Sequence, residues 1–167
     1  MKRFVILWGV MALSSQLSWA QNPLGKGQKQ LNAGFGLSSW GIPVYVGLDY
    51  GAHSDISVGG EISYRSYNEN VKYAEYRHSV TCISANGNYH FNRILSIPRE
   101  WDLYAGLNLG FYFWSSPSGY NGDHTSGLGL GAQLGGRYYV SNKVALNLEL
   151  GGANAFSGGK FGVTFKL

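Results

Sequence analysis

Residues 127–151, GLGLGAQLGGRYYVSNKVALNLELG, decide the fold because an apolar side chain returns at every second position over most of their length. This period of two belongs to a β-strand, in which successive side chains point to opposite faces. Ser141-Asn142-Lys143 interrupts the alternation, so the stretch predicts two antiparallel strands joined by a short turn. The other face of this hairpin is mostly glycine, and its larger polar members are Gln133, Arg137, Asn147 and Glu149.

The chain is poor in charge and rich in glycine and aromatic residues. Of its 167 residues, 13% are charged, 15% are aromatic and 25 are glycine, whereas soluble domains carry about 25% charged residues. The aromatic content argues against disorder, and the scattered lysines and arginines argue against a nucleic-acid partner. The composition therefore favours an all-β protein, and a membrane barrel in particular.

The first twenty residues predict a cleaved secretory signal peptide. A basic start precedes an apolar run from Phe4 to Leu13, and Ser18-Trp19-Ala20 fits a cleavage site with small residues. Removing the two basic residues of this segment leaves 11 of 13 basic residues against 9 acidic ones, a net charge of about +2. We expect the mature chain to have a flexible lead over residues 21–29 and a single domain over residues 30–167.

Period-two patterns recur along the mature chain and predict eight strands. They cover residues 30–38, 44–50, 56–65, 78–91, 103–114, 127–140, 144–151 and 160–167. An up-and-down order of eight strands places both ends of the domain on the same side. The connections on the opposite side include two long polar segments, 68–77 and 115–127. Outer-membrane barrels have long external loops and short periplasmic turns, and the connection 92–101 departs from this rule.

Two architectures share this alternation of apolar and polar residues. A soluble barrel turns its apolar face inward and shows charges to water, whereas a membrane barrel turns its apolar face to lipid. The polar face of the last four strands is mainly Gly, Asn, Gln, Tyr, Thr and Ala, far from the roughly 25–35% charge of a soluble surface. We therefore predict an all-β, eight-stranded antiparallel up-and-down transmembrane β-barrel. A soluble lipocalin-like periplasmic binding barrel is the alternative.

Aromatic residues are predicted to gather at both ends of the strands, where the two membrane interfaces favour them. The group at the loop ends is Tyr64, Tyr67, Phe111, Phe113 and Trp114. The group at the turn ends is Tyr50, Tyr89, Phe91, Tyr138, Tyr139 and Phe165.

The chain resembles the small eight-stranded outer-membrane β-barrels of the OmpA/OmpX type. The resemblance rests on the export signal, the eight alternating strands and the in-phase final strand KFGVTFKL at residues 160–167. The run GGRYYVSNKVALNLELG at residues 135–151 is similar to outer-membrane barrel proteins of Bacteroidota-like Gram-negatives. This resemblance implies a location in the cell outer membrane, contact with its lipid and lipopolysaccharide, and assembly by the barrel assembly machinery. Such proteins usually end in Phe, whereas this chain ends in Leu167 with Phe165 two places earlier.

Five charged residues fall on the predicted inward face, namely Asp49, Glu61, Arg65, Arg137 and Glu149. Charges in a narrow interior have to be paired. The hairpin places Arg137 opposite Asn147 and diagonal to Glu149, so Arg137 and Glu149 are predicted to pair. Glu61 and Arg65 lie roughly 13 Å apart along one strand and need partners elsewhere. We interpret the five as a lumen charge network that fills and stiffens the barrel, with a proton or ion path as the alternative.

Nothing in the sequence predicts catalysis, a metal site or a cofactor. We find no Ser/His/acid set on one face of the strands, and the one His and one Asp of the long loop are too few for a specific metal site. Outer-membrane enzymes that modify lipid A also use eight-stranded barrels, which keeps an enzyme open as an alternative.

We therefore expect a non-enzymatic integral outer-membrane barrel with a lumen filled by side chains. Its role would be in envelope integrity, in surface contact, or as a subunit of an outer-membrane complex that includes a protein partner. The candidate contact residues in the external loops are Tyr67, Tyr73, Tyr76, Tyr120 and His124.

Overall fold

The computed structural model describes residues 24–38, 41–71, 74–117, 126–153 and 157–167. The predicted signal peptide and residues 21–23 of the predicted lead lie outside these ranges. The strands are β1 Lys29–Ser38, β2 Val44–His53, β3 Ile56–Val71, β4 Ala74–His90, β5 Trp101–Ser115, β6 Gly127–Tyr139, β7 Val144–Ala153 and β8 Ser157–Lys166. No helix in the described part of the chain is long and apolar enough to cross a membrane.

The eight strands form one closed antiparallel barrel. Each strand pairs with its neighbours in the sequence, and β1 also pairs with β8 through nine register pairs, from Gln30↔Lys166 to Ser38↔Gly158. Closure gives every strand a partner on both sides within the barrel, whereas the end of the β3–β4 hairpin projects beyond it. The predicted eight strands and their up-and-down order are confirmed. We call the end that holds Lys29 and Lys166 the terminal end, and the opposite end the loop end.

The apolar face of the strands points outward. The leucines of the opening hairpin, on β6 and β7, are between 42% and 68% exposed. The polar residues between them, including Gln133, Arg137 and Asn147, are buried. A soluble barrel has the opposite arrangement. The apolar exterior therefore identifies the transmembrane type of barrel and argues against the lipocalin-like alternative.

The two predicted aromatic groups are only partly on the outer surface. Tyr64, Phe111 and Phe113 are exposed near the loop end, and Tyr50, Tyr89, Tyr138 and Phe165 are exposed near the terminal end. Tyr67, Trp114 and Tyr139 instead occupy inward positions of their strands, and Tyr139 is buried. The assignment of these three to the outer belts was wrong because each lies one residue out of phase with an outward neighbour.

The predicted polar loop at residues 68–77 is mostly strand. β3 and β4 stay paired from Tyr67↔His78 to Val71↔Ala74, five pairs beyond the last contact of β4 with β5 at Ser79↔Ser115. The backbone of this part of the hairpin pairs only with itself, and its sequence is mostly polar. Its polar composition therefore gave no period-two signal, and the prediction of a loop was wrong.

The described part of the predicted flexible lead is packed against the terminal end. Leu24 is buried, the Gly27 N–H donates to the Gly51 carbonyl at 2.8 Å, and the Gly51 N–H donates to the Gln28 carbonyl at 2.9 Å. A side chain at Gly51 would overlap the Gly25 carbonyl, so the close approach requires glycine there. Residues 24–28 differ from the prediction because one leucine in a polar stretch carries no periodic signal.

Candidate functional site: the polar lumen

Glycines on the inward face of β6 make room for tyrosine rings from β5. A Cβ at Gly129 would overlap the Tyr112 ring, and a Cβ at Gly135 would overlap the Tyr104 ring. Both tyrosines are buried. An eight-stranded interior is just wide enough to be filled by side chains, so large and small residues have to alternate across it. The inward face of β6, which is mostly glycine, is therefore covered by tyrosine rings from β5.

A buried arginine between two carboxylates closes the lumen near the terminal end. Arg137 donates from Nη1 to Asp102 and from Nη2 to Asp49, each at 2.9 Å. The side chains of all three are at most 4% exposed. The Arg137 guanidinium also lies 4.2 Å from the centroid of the Tyr104 ring. Because buried charges are tolerated only when paired and hydrogen-bonded, the three residues depend on one another.

This cluster belongs to a hydrogen-bond network that touches every strand of the barrel. On one side Asp102 binds His90, and on the other Asp49 accepts from Asn32 at 2.9 Å. The bonds run through Ser57, His90, Asp102, Arg137, Asp49, Asn32, Thr164 and Asn147, one residue from each of the eight strands. We call these eight residues the terminal-end network. Arg137 Nε is buried without a hydrogen-bond partner, but the bonds that join the eight residues favour one arrangement of the strands.

A second cluster of charged side chains lies in the lumen, closer to the loop end than Arg137. Lys160 contacts Glu61 at 2.8 Å and Glu149 at 2.7 Å. The Tyr104 hydroxyl donates to Glu149 at 2.9 Å, and the Lys160 ammonium lies 5.0 Å from the centroid of the Tyr45 ring. The Lys160 side chain is 26% exposed, so this cluster is less desolvated than Arg137 and its partners.

The five charges that the sequence places on the inward face all lie there, but their partners differ from the prediction. Arg137 lies opposite Asn147 as predicted, yet it binds Asp49 and Asp102 rather than Glu149. Glu149 and Glu61 share Lys160. The pairing of Arg137 with Glu149 was wrong because the actual partners reach Arg137 from the neighbouring β5 and from across the lumen.

Arg65 was predicted to face the lumen, whereas Asp102 was not. Arg65 donates to the Ser38 hydroxyl at 3.0 Å. Asp102 was missed because the predicted fifth strand began at Leu103. Extending the alternation back past that leucine would have found it, since Asp102 is in phase with the inward Tyr104.

Ser57, His90 and Asp102 have the hydrogen-bond pattern of a catalytic triad. The Ser57 hydroxyl lies 2.9 Å from His90 Nε2, and His90 Nδ1 lies 2.7 Å from Asp102 Oδ1. This corrects the conclusion that no Ser/His/acid set shares one face. The three residues are at most 1% exposed, and the second oxygen of Asp102 is bound to Arg137. A nucleophile has to be reachable by its substrate, so this set holds strands together rather than presenting a reactive hydroxyl.

The lumen contains a cavity on the loop-end side of the terminal-end network and a smaller cavity that touches the network itself. A cavity of about 120 Å³, lined by Glu61, Arg65, Cys82, Tyr112 and Lys160 among others, lies toward the loop end. A second cavity of about 20 Å³ touches Asp49, Tyr104 and Arg137. At about 10–15 Å³ for each water, the first has room for several waters and the second for one. Ser57, His90 and Asp102 line neither of these cavities.

Of the five candidate contact residues in the external loops, the structure describes Tyr67 and Tyr76. Tyr67 is not an external contact, which corrects the prediction, because its ring stacks on His78 at 5.2 Å and meets Trp114 at 6.2 Å inside the barrel mouth. Tyr76 is half-buried on the projecting part of the β3–β4 hairpin. Tyr73, Tyr120 and His124 lie outside the described residues.

Metal ligands are not gathered anywhere in the described ranges. There, no group of three or more His, Cys, Asp and Glu side chains is placed to hold a metal ion. Cys82, the only cysteine of the sequence, is a buried free thiol.

The fold is that of the small outer-membrane β-barrels. No protein-family model and no curated protein sequence matches the chain. The outer membrane protein OprG from Pseudomonas aeruginosa matches with a TM-score of 0.67 at 11% identity, over 87% of this chain and 99% of that one. Ail of Yersinia pestis, in complex with the heparin analogue sucrose octasulfate, matches with a TM-score of 0.59 at 12% identity, over 85% and 99%. The N-terminal β-barrel domain of P. aeruginosa OprF matches with 0.58 at 14% identity, over 86% and 99%.

Proposed function

We propose that this chain is a non-enzymatic integral protein of the outer membrane, whose filled barrel anchors a hairpin that makes surface contacts. The apolar exterior and the likeness to outer-membrane barrels support the location. Barrels of this class keep their short turns in the periplasm, so the terminal end faces the periplasm and the β3–β4 hairpin faces outward. The outer-membrane lipid and lipopolysaccharide would surround the barrel, and the barrel assembly machinery would insert it.

The terminal-end network argues against a channel. Arg137, Asp49 and Asp102 cross the lumen with side chains that are almost fully buried. Any ion that passed would have to break bonds between groups held in a poorly hydrated layer, where isolated charges are costly. The proton or ion path is therefore the less favoured of the two interpretations of the lumen charges.

The observation that carries surface contact is the length of the β3–β4 hairpin. Its five pairs beyond the barrel correspond to roughly 15 Å of extended chain. The projecting part of the hairpin carries the polar Asn68, the acidic Glu69 and the basic Arg77. Because these charges have opposite signs, the projection lacks the uniformly positive surface that would favour binding of a polyanion. Tyrosines are the aromatic anchors of many protein contacts. Tyr76 lies on this hairpin, and Tyr73 falls between β3 and β4 in the sequence. We therefore favour a protein partner at the surface or in the outer membrane.

Photo-crosslinking in living cells tests this function. A photoreactive residue at Tyr76 is expected to give a discrete protein adduct, while the same residue at the outward-facing Tyr64 on the same hairpin contacts lipid and gives none. Recovery of the protein in the outer-membrane fraction, with a gel mobility that changes on heating, shows that each variant is folded. Equal adduct patterns at the two positions would contradict surface contact through the hairpin. Stable single-channel currents from the purified barrel in planar bilayers would contradict the closed lumen.

A further inference from the structure

The ten-residue connection between β4 and β5 has a defined backbone at the terminal end. The Leu95 N–H donates to the Phe91 carbonyl and the Ile97 N–H to the Asn92 carbonyl, both at 2.9 Å. Asn92 is fully buried, and its side chain donates to the Trp101 carbonyl and accepts from the Leu103 N–H. These bonds fix the backbone of the connection.

The connection is also fixed to its neighbours on both sides. Arg93 forms an ion pair with Asp55 in the β2–β3 turn. The Tyr139 N–H, at the end of β6, donates to the Glu100 carbonyl at 2.7 Å. The connection therefore holds its side chains in a set position relative to the barrel wall.

Two large apolar side chains of this connection protrude from the protein surface. Ile94 is 69% exposed and Leu95 is 62% exposed. The Leu95–Phe91 bond spans one helical turn, and side chains four positions apart on such a turn lie on the same side. Phe91 continues the outward face of β4, where its ring lies 5.3 Å from that of Tyr89. Leu95 thus extends the lipid-facing surface past the end of the strand.

Exposed aromatic rings and cations lie at the same end of the barrel as this apolar pair. Trp101 and Tyr138, whose ring centroids are 4.7 Å apart, are exposed on the barrel wall where the connection ends. Arg93 and Arg99 on the connection have side chains that are 63% and 68% exposed, and Arg99 lies 3.7 Å from the exposed Glu100 carboxylate. Lys143 is exposed in the next turn. Apolar side chains framed by Trp, Tyr and basic residues are typical of a segment at the boundary between hydrocarbon and headgroups.

We propose that residues 91–100 form an interfacial foot, which inserts Ile94 and Leu95 into the periplasmic leaflet and binds anionic phospholipid headgroups through Arg99 and Lys143. This inference rests on the proposed outer-membrane location, with the terminal end in the periplasm. The continuity of Leu95 with the lipid-facing wall favours lipid as the occupant. The exposed cations favour an anionic headgroup, because basic residues near such a surface attract it. The foot also accounts for a periplasmic connection longer than its neighbours.

A fluorescent depth measurement tests the insertion. Leu95→Cys in a Cys82→Ala background carries an environment-sensitive NBD label, and the folded barrel is placed in vesicles of phosphatidylethanolamine with about one-quarter phosphatidylglycerol. We expect blue-shifted emission and strongest quenching by lipids that carry the spin label near the headgroup. The matched control is the same label at Ser54→Cys, which lies in the exposed β2–β3 turn at the same end and should emit as in water.

Headgroup preference is measured with the label at position 95. Spin-labelled phosphatidylglycerol should quench it on the order of twofold more than spin-labelled phosphatidylcholine. The excess should vanish in Arg99→Gln/Lys143→Gln and persist in Arg77→Gln, which removes an exposed cation at the opposite end. An unlabelled wild-type chain provides a second measurement, because phosphatidylglycerol should raise its unfolding temperature, and that of Arg77→Gln, but not that of Arg99→Gln/Lys143→Gln.

The outcomes separate the foot from the proposed location. A folded, membrane-inserted barrel whose label at position 95 emits as in water overturns the foot and leaves the location intact. Blue-shifted emission that disappears when the protein is diluted with lipid shows a second copy as the occupant and also overturns it. Failure of the wild-type chain to enter vesicles, with a gel mobility unchanged by heating, contradicts the proposed location itself.

Discussion

Gly135→Ala should destabilise the barrel because position 135 is filled by the Tyr104 ring. A Cβ at Gly135 would overlap the ring and hydroxyl of Tyr104. Tyr104 is 2% exposed, its hydroxyl donates to Glu149 at 2.9 Å, and its ring face lies against the Arg137 guanidinium. The ring therefore cannot move without disturbing contacts with two charged groups.

The magnitude follows from the size of the overlap. Carbon atoms pack at about 3.5–4.0 Å, so the ring has to retreat by on the order of 1 Å or more. Overpacking of this kind costs about 1–3 kcal/mol. Loss of the hydrogen bond to the Glu149 carboxylate adds about 1.5–3 kcal/mol. We expect Gly135→Ala to lower the free energy of unfolding by about 3–5 kcal/mol.

Reversible urea unfolding in detergent micelles or vesicles measures this loss. The matched control is Gly136→Ala, one residue away on the lipid-facing side, where the new Cβ would lie 3.3 Å from a terminal methyl of Leu103. That flexible methyl can shift, so the control should stay within about 1 kcal/mol of wild type. In a Tyr104→Ala background Gly135→Ala should cost little, giving a coupling energy of about 2 kcal/mol or more. Equal effects of the two glycine substitutions would refute the close contact between ring and backbone.

Three further outcomes are expected. Arg137→Ala removes the cation that two buried carboxylates share and should lower the free energy of unfolding by about 3–5 kcal/mol, whereas Lys26→Ala, at an exposed position before β1, should change it by less than about 0.5 kcal/mol; similar losses would contradict the network. Lys160→Met should cost less than Arg137→Ala in the same titration, since its side chain is 26% exposed beside a cavity; a larger loss would show that the ion cluster, not the arginine layer, dominates. A fluorophosphonate probe should leave Ser57 unlabelled in the folded barrel; labelling that Ser57→Ala abolishes, or fatty-acid release from lipid A, would favour an enzyme.

Local periodicity was sufficient to predict the strands and most of their faces. The leucines of β6 and β7 and the polar residues between them were assigned correctly because the pattern of a half-exposed strand depends only on neighbours in the sequence. The projecting part of the β3–β4 hairpin was missed for the same reason. Where a hairpin projects beyond its neighbouring strands, neither face of a strand has to be apolar, so residues 68–77 carried no alternation to detect.

The inward positions of the lumen charges could be predicted, but their partners could not. Strand register gives the residue opposite, and Asn147 was found opposite Arg137 in this way. Asp49 is 88 positions from Arg137 and lies on β2, which is not a neighbour of β6 in the barrel. Contacts across a lumen depend on barrel diameter and strand stagger, which the alternation of a single strand does not encode.

Hydrogen bonds and ion pairs across the lumen also explain why the sheet closes into a barrel. Arg137–Asp49, Tyr45–Asn147, Tyr139–Gln30, Lys160–Glu61 and Tyr104–Glu149 each join strands that are not neighbours. In an open sheet all of these pairs except Tyr104–Glu149, whose strands are separated only by β6, would be far apart and would lose their polar partners. A half-satisfied polar network is costly, whereas a complete one is stabilising. Pairing β1 with β8 therefore brings together both the last backbone hydrogen bonds and the lumen contacts, which makes closure cooperative and disfavours partly open barrels.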